Sequence, residues 1–200
     1  MKEYTIVRKA PWEVVPELTI DEREKDFDAD ITAYCKVCYD DDNLYVRLRA
    51  HEKDIRAEGK REDLLAQPCE DSCLEFFFSP DASDRYFNIE YNPNCLRFLG
   101  LGTHIWDLIR LLPLHDETLS FDPVTEYLPD GWQITYHIPY RFIRMFFPDF
   151  APKKGDFMTG NAFTTGDYCR VPHDLSWNPI DPSVYNSFHN PKAFGKFWFG

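Results

Sequence analysis

Positive charge is scarce in this 200-residue chain: 22 Lys and Arg stand against 34 Asp and Glu, a formal net charge of −12. A phosphate backbone is held mainly by Lys and Arg, so the balance argues against nucleic acid as a partner. Long apolar runs are missing as well. The longest uncharged stretches, such as Gly131–Tyr140 and Phe157–Gly166, span about ten residues, half of what a membrane-spanning helix needs. The amino terminus, Met-Lys-Glu-Tyr-Thr, carries no apolar h-region, and the expectation is a cytoplasmic protein with no membrane partner. Glycine and alanine are few, 9 and 10 residues. No glycine-rich phosphate loop, His-Glu-x-x-His or Gly-x-Ser-x-Gly pattern occurs, so the commonest signatures of nucleotide, zinc-protease and serine-hydrolase chemistry are absent.

What the chain does have is acid, thiol and aromatic side chains. Glu22, Glu24, Asp26, Asp28 and Asp30 form one acidic cluster and Asp40-Asp41-Asp42 another. Hard cations take oxygen ligands, so calcium is one reading and solvated loop acids the other. The six cysteines (35, 38, 69, 73, 95 and 169) are expected as reduced thiols. Cys35-Lys-Val-Cys38 matches C-x-x-C, but it lies in an alternating stretch. Residues three apart on a strand point to opposite faces, which is poor geometry for one metal.

The 17 Phe, 11 Tyr and 5 Trp exclude a disordered chain and point to strands. Between Ile31 and Tyr39 the residues Ala33, Cys35, Val37 and Tyr39 share one face. Asp40–Asn43 reads as a turn, and Leu44, Val46, Leu48 and Ala50 alternate with Tyr45, Arg47 and Arg49, a hairpin with one apolar face. Cys73–Ser79, Tyr86–Asn92 and Cys95–Leu101 follow in the same manner. Further strands are expected at Leu119–Tyr127, Gly131–Ile138, Phe157–Thr165 and Phe194–Phe199. Tyr140–Phe147, between two prolines, fits one or two helical turns, and Glu62–Ala66 and Ile105–Leu112 each fit a short one. Many short strands joined by turn signals imply a single all-β domain, residues 1–200, an antiparallel β-sandwich or jelly roll with one or two short helices.

Strand parity places Glu75 opposite Glu90, or one step away opposite Asn88 or Asn92, if residues 73–79 and 85–92 form a hairpin, with Arg97 near Glu90 across the next turn. Two carboxylates directly opposite repel unless something positive or hydrogen-bonding lies between them. The row Glu75–Glu90–Arg97 reads either as a salt-bridge ladder on a solvated face or as a platform that accepts hydrogen bonds from ligand hydroxyls. A sugar platform also needs aromatic walls, and Trp106, Trp177, Tyr185, Phe188 and Phe194 lie in loop-like sequence.

Five segments, in order, carry a family resemblance: Val37–Arg47 (VCYDDDNLYVR), Glu70–Pro80 (EDSCLEFFFSP), Tyr86–Asn94 (YFNIEYNPN), Gly131–Pro139 (GWQITYHIP) and Phe188–Gly195 (FHNPKAFG). The set resembles the family-9-like carbohydrate-binding modules. The resemblance implies a β-sandwich that binds the ends of cellulose or xylan, or short sugars, between two tryptophans, with structural calcium elsewhere. It implies that Glu75 accepts sugar hydroxyls, that Asp71 is its neighbour, and that Asn92 and Arg97 supply further hydrogen bonds, with His189 at the edge of the site. Where the family has its first stacking tryptophan this chain has Pro68-Cys69, and near the second it has Phe194. Trp177 and Phe194 are then the expected stacking residues, with Trp106 as a substitute.

Three functions follow. Non-catalytic binding of a short β-linked oligosaccharide, a polysaccharide end or a monosaccharide uses Glu75, Asp71, Glu90, Asn92, Arg97, Trp177, Phe194 and His189. An interaction scaffold keeps the sandwich and has lost the sugar. A glycoside hydrolase would use Glu75 and Glu90 as its two carboxylates.

Overall fold

A computed structural model describes residues 1–23, 30–112, 120–181, 183 and 187–200. Part of the first acidic cluster, the start of the strand expected from Leu119, and Tyr185 lie outside the described residues. Among the described residues there are fourteen strands and one short α-helix. One layer is built from β10 (Val124–Leu128), β11 (Gly131–Pro139), β5 (Asn43–His51) and β4 (Thr32–Tyr39), neighbouring in that order, with β2 (Leu18–Ile20) also paired to β4. The other runs β14 (Gly195–Phe199), β12 (Phe157–Thr165), β6 (Cys73–Ser79), β7 (Tyr86–Tyr91), β8 (Arg97–Gly102) and β9 (Ile109–Arg110). β13 (Asp174–Ser176) pairs with the far end of β12 and with β3 (Glu22–Arg23).

The layers are joined by β1 (Glu3–Arg8), whose pairings depart from the antiparallel expectation. Its first half runs parallel to β14, pairing Glu3 with Lys196 through Ile6 with Phe199. Its second half runs parallel to β4, pairing Val7 with Cys38 and Arg8 with Tyr39. A strand that changes sheets in mid-course closes one side of a sandwich. Tyr4 pins the crossing, its hydroxyl donating to Pro16 O at 2.7 Å and accepting from Val37 N at 3.0 Å.

Period-2 patterning decides the layers. Along β5 the residues alternate half-buried and buried, so Leu44, Val46, Leu48 and Ala50 face inward. They meet Leu74, Phe76 and Phe78 of β6, Phe87, Ile89 and Tyr91 of β7, and Trp132, Ile134 and Tyr136 of β11 in one core. The Asp40–Asn43 turn forms as expected: the Asp40 carboxylate accepts from the amides of Asp42 and Asn43 at 2.9 Å and from the Tyr45 hydroxyl. Asp41 pairs with Arg8. These acids are occupied by a turn and an ion pair.

The α-helix is α1 (Tyr140–Arg144), entered from Pro139. Residues 62–66 form turns, and only Ile105–Asp107 of the expected 105–112 helix is helical, as a 3-10 turn. Its last residues instead pair with β8 as β9, opposite Gly100 and Leu101. The six cysteines are free thiols.

β6 and β7 differ from the rest in being buried on both faces. Their outer face carries a second aromatic cluster, Phe77, Tyr86, Phe163 and Phe194, with Leu108, Ile180 and Phe188 packed against it. Chain from the 3-10 turns after β8 and before β14 therefore covers part of a face that an ordinary sandwich leaves to water.

Candidate functional site

The register of β6 and β7 puts Glu75 directly opposite Glu90, as parity predicts. The next pairing is offset by one residue from expectation. Glu90 faces Phe98, while Arg97 faces Tyr91. A one-residue slip sends a side chain to the opposite face, so Arg97 leaves the row. It donates to Ser120 O at 3.0 Å and lies over the Phe121 ring, 4.9 Å from its centroid. The cation that acts on Glu90 is Arg110. Arg110 stands on β9 opposite Gly100, which in turn faces Asn88. Its guanidinium sits over Phe98 at 4.7 Å and donates to Leu65 O at 2.9 Å and Ala66 O at 2.6 Å.

The face is thus neither a solvated ladder nor a dry core. Glu75 is 3% exposed and Glu90 7%. Burial pushes Glu75 well above the usual carboxylate range, and the Glu90 charge pushes it further, against the Thr165 hydroxyl that donates to Oε1 at 2.6 Å. Burial pushes Glu90 up to about 7, opposed by the nearby Asn88 amide and by Arg110. Both shifts favour protonated carboxyls, and a protonated carboxyl can donate as well as accept. Glu90 Oε2 and both polar atoms of the Asn88 side chain are buried with no partner in hydrogen-bonding geometry. Such atoms are rare in folded chains because each costs about 1–3 kcal/mol.

Two thiols adjoin the acids. Cys73 Sγ and one oxygen of each glutamate lie within 4.8 Å of one another. Cys69 is half-buried on a 3-10 turn (Pro68–Glu70). Burial, with the charges of Glu75 and Glu90 added, holds both thiols up, so they are neutral. They are not nucleophiles.

The aromatic expectations fare differently. Phe194 is 1% exposed and meets Tyr86 edge to face at 5.5 Å, inside the outer-face cluster. His189 is beside it, its Nδ1 2.8 Å from the Tyr86 hydroxyl, and burial lowers it to about 4, with His104 adding to the effect. It is a neutral imidazole at the margin of the cluster. Phe188 stacks on Phe163 at 4.3 Å, and Phe163 faces Glu75 across β12. Trp177, expected to stack on a sugar, is in the inner core, edge to face with Phe197 at 5.0 Å. A Cβ at Gly195 would stand 2.4 Å from its ring, so the indole fills the space that glycine leaves. Trp106 is 76% exposed, with its ring parallel to that of His104 at 6.4 Å.

Asp71 and Asn92 lie at the strand ends and face each other. Asp71 Oδ2 accepts from the amides of Glu58 and Gly59 at 3.0 and 2.9 Å and from Asn92 Nδ2 at 2.8 Å, while Oδ1 meets Arg56 at 3.2 Å. Asn92 also donates to Gly59 O at 2.8 Å and accepts from Asn94 N and Leu96 N. The two residues clamp the 56–59 segment onto the turn after β7. Their polar atoms are spent on the chain itself, contrary to the ligand-contacting role expected of them.

Phe98, Thr165, Phe163 and Arg110 are not legible as site residues in the sequence, and Asn88 is legible only as a possible neighbour of Glu75. Asn88 was within reach, sharing its face with Glu90 two residues away. Arg110 was hidden because a two-residue strand shows no alternation and its stretch reads as helix.

A model of carbohydrate-binding family 9 matches residues 23–199. The chain belongs to carbohydrate-binding family 9. That family is non-catalytic, in keeping with the expectation that this chain is not an enzyme. A candidate carbohydrate-binding protein of Bacteroides uniformis superposes with a TM-score of 0.79 at 22% identity, over 100% of this chain and 99% of its own. Two structures of a family-9 module of Caldicellulosiruptor kristjanssonii, each 16% identical, also superpose. The glucose complex has a TM-score of 0.66 over 100% of this chain and 96% of its own; the cellotriose complex has 0.67 over 99% and 93%. At these identities the likeness concerns the fold. No curated protein sequence matches.

Proposed function

We propose that this family-9 chain binds a short sugar on the outer face of β6–β9, through the polar side chains of Glu75, Glu90 and Asn88. The single observation that carries this reading is the set of buried atoms without partners, Glu90 Oε2 and the whole amide of Asn88. A sugar's hydroxyl groups supply both donors and acceptors, and a hydrogen-bonding ligand removes the penalty of burying these atoms unpaired. Phe98, half-buried at the margin under Arg110, offers an apolar ring to the C–H face of a pyranose. Cys69 replaces an indole with a small side chain, so stacking is one-sided and affinity is expected in the millimolar range.

Hydrolysis has the wrong geometry. A glycosidase places its carboxyls on either side of the anomeric centre, whereas Glu75 and Glu90 stand side by side on one sheet floor. The test is a calorimetric titration with glucose and cellotriose, the sugars bound by the Caldicellulosiruptor module, and with xylose oligomers. Binding that weakens about tenfold or more in Glu75→Gln and in Phe98→Ala, with both variants folded, supports the site. No heat from any of these sugars up to about 10 mM, or affinities unchanged in both variants, refutes it.

A further inference from the structure

A second buried polar group lies away from this face. Glu52 follows β5, and the loop after β12 brings Cys169 and His173 to it. One ligand atom from each of the three lies within 4.8 Å of the other two, and all three residues are buried. We propose that Glu52, Cys169 and His173 bind a transition-metal cation of the zinc class.

The donor set selects the ion. A thiol and an imidazole favour zinc over calcium, whose ligands are oxygens. Cys169 Sγ is 3.8 Å from Glu52 Oε1, close to the edge of a tetrahedron with about 2.3 Å to sulfur and about 2.1 Å to oxygen. The surroundings hold each ligand in place. Val171 O lies 3.0 Å from His173 Nδ1, which assigns that nitrogen the proton and leaves Nε2 as the nitrogen able to ligate. Glu52 Oε1 accepts from Ser72 at 2.6 Å and Oε2 from the Trp132 indole at 3.3 Å. These contacts orient the carboxylate as outer-shell partners do.

The loop is shaped for the convergence. Gly166 N donates to His173 O at 3.1 Å, closing the loop. A Cβ on Gly166 would fall 2.7 Å from Cys169 Sγ and 2.5 Å from His173 Cε1, so only glycine lets both approach. A cavity of about 270 Å³, lined by Glu52 and Cys169 together with Asp30 and Asp54, adjoins the group. Lys53 and Arg170 line it too, Arg170 paired with Asp54, so the cavity offers a polar entry path and room for water in a fourth position. Binding displaces the thiol proton, which leaves as a hydronium ion to solvent.

The full chain, reduced and stripped with chelator, is titrated with cobalt(II). Thiolate ligation gives a sulfur-to-cobalt charge-transfer band, and tetrahedral coordination intensifies the visible bands. The expected result is saturation at one cobalt per chain, reversal by zinc but not by calcium, loss of the band in Cys169→Ala, and retention in Cys73→Ala. In His173→Gln affinity falls by at least the roughly 10–100-fold that loss of an outer-shell partner costs. No charge-transfer band in the unmodified chain, or a band that survives Cys169→Ala, overturns the proposal. If Cys169→Ala does not fold, an unchanged cobalt affinity in His173→Gln overturns it equally.

Discussion

Asn88 and Asn92 stand four residues apart along the line of β7, share a face, and are both fully buried. Asn92 makes four hydrogen bonds within its own chain, to Gly59, Asp71, Asn94 and Leu96. Asn88 makes none in acceptable geometry. Residue type and burial are the same, Asn88 within β7 and Asn92 one residue beyond its end; what differs is whether the polar atoms are consumed. A saturated amide is a fastener. An open one in the same sheet is a place kept for something else, because folding alone selects against it. The same contrast separates Asp71, saturated by two amides, an amide side chain and an arginine, from Glu90, with one oxygen left bare.

The largest test of that contrast is outside both regions. Trp177 belongs to the inner core, so Trp177→Ala is expected to cost about 3–5 kcal/mol of stability. The fraction that remains folded should bind sugar as the parent does. Urea unfolding followed by calorimetry checks both parts, and a stable variant with lost sugar affinity would return the indole to the site.

Trp177 also shows where sequence stops. The strands 73–79 and 157–165 and the Glu75–Glu90 register follow from period-2 patterning, because alternation fixes a face wherever one side is buried. The joining strand β1 is short and parallel, and β3 and β13 span two and three residues. β1 does alternate, with Tyr4 and Ile6 buried, but its two parallel partners are far away in sequence, and β3 and β13 are too short to show alternation. Exposure of loop aromatics was not legible either. Whether Trp177 or Phe194 faces solvent depends on which loop folds over which sheet, and the close fit of Trp177 on Gly195 is a tertiary fact. Arg97 was misplaced by the turn at Asn92–Asn94, where Cys95 takes a positive φ of 59° and the register moves by one.

The acid pair allows a sharper test. Folded Glu90 keeps its proton to about pH 7, against an ordinary value of 4.5. The unfolded chain releases it earlier, so the folded state binds more protons between these values and stability falls as pH rises through that window. At about 1.4 kcal/mol per unit the loss is on the order of 3 kcal/mol. Glu90→Gln is expected to recover much of it at pH 8 and to match the parent at pH 4. Thermal melts across that range decide; an equal gain at both pH values would mean that packing, not charge, is what changed.

The smallest expected effect is the most discriminating. Asn92→Ala removes four satisfied bonds and strands Asp71 with fewer partners, so it should cost about 2 kcal/mol. Asn88→Ala removes an amide with no well-formed hydrogen bond among the described residues, near enough to Glu90 only to bias its titration, so less than about 1 kcal/mol is expected, in either direction. Sugar affinity should behave in the opposite sense: about tenfold weaker in Asn88→Ala, where a ligand hydroxyl loses its partner, and unchanged in folded Asn92→Ala. Denaturant melts and sugar titrations on the two variants give four numbers. If stability and affinity fall together in both, the two amides do the same work and the open amide beside Glu90 is an accident of packing. If the losses cross over, the chain has used one residue type, in the strand as a receptor and just past its end as a fastener.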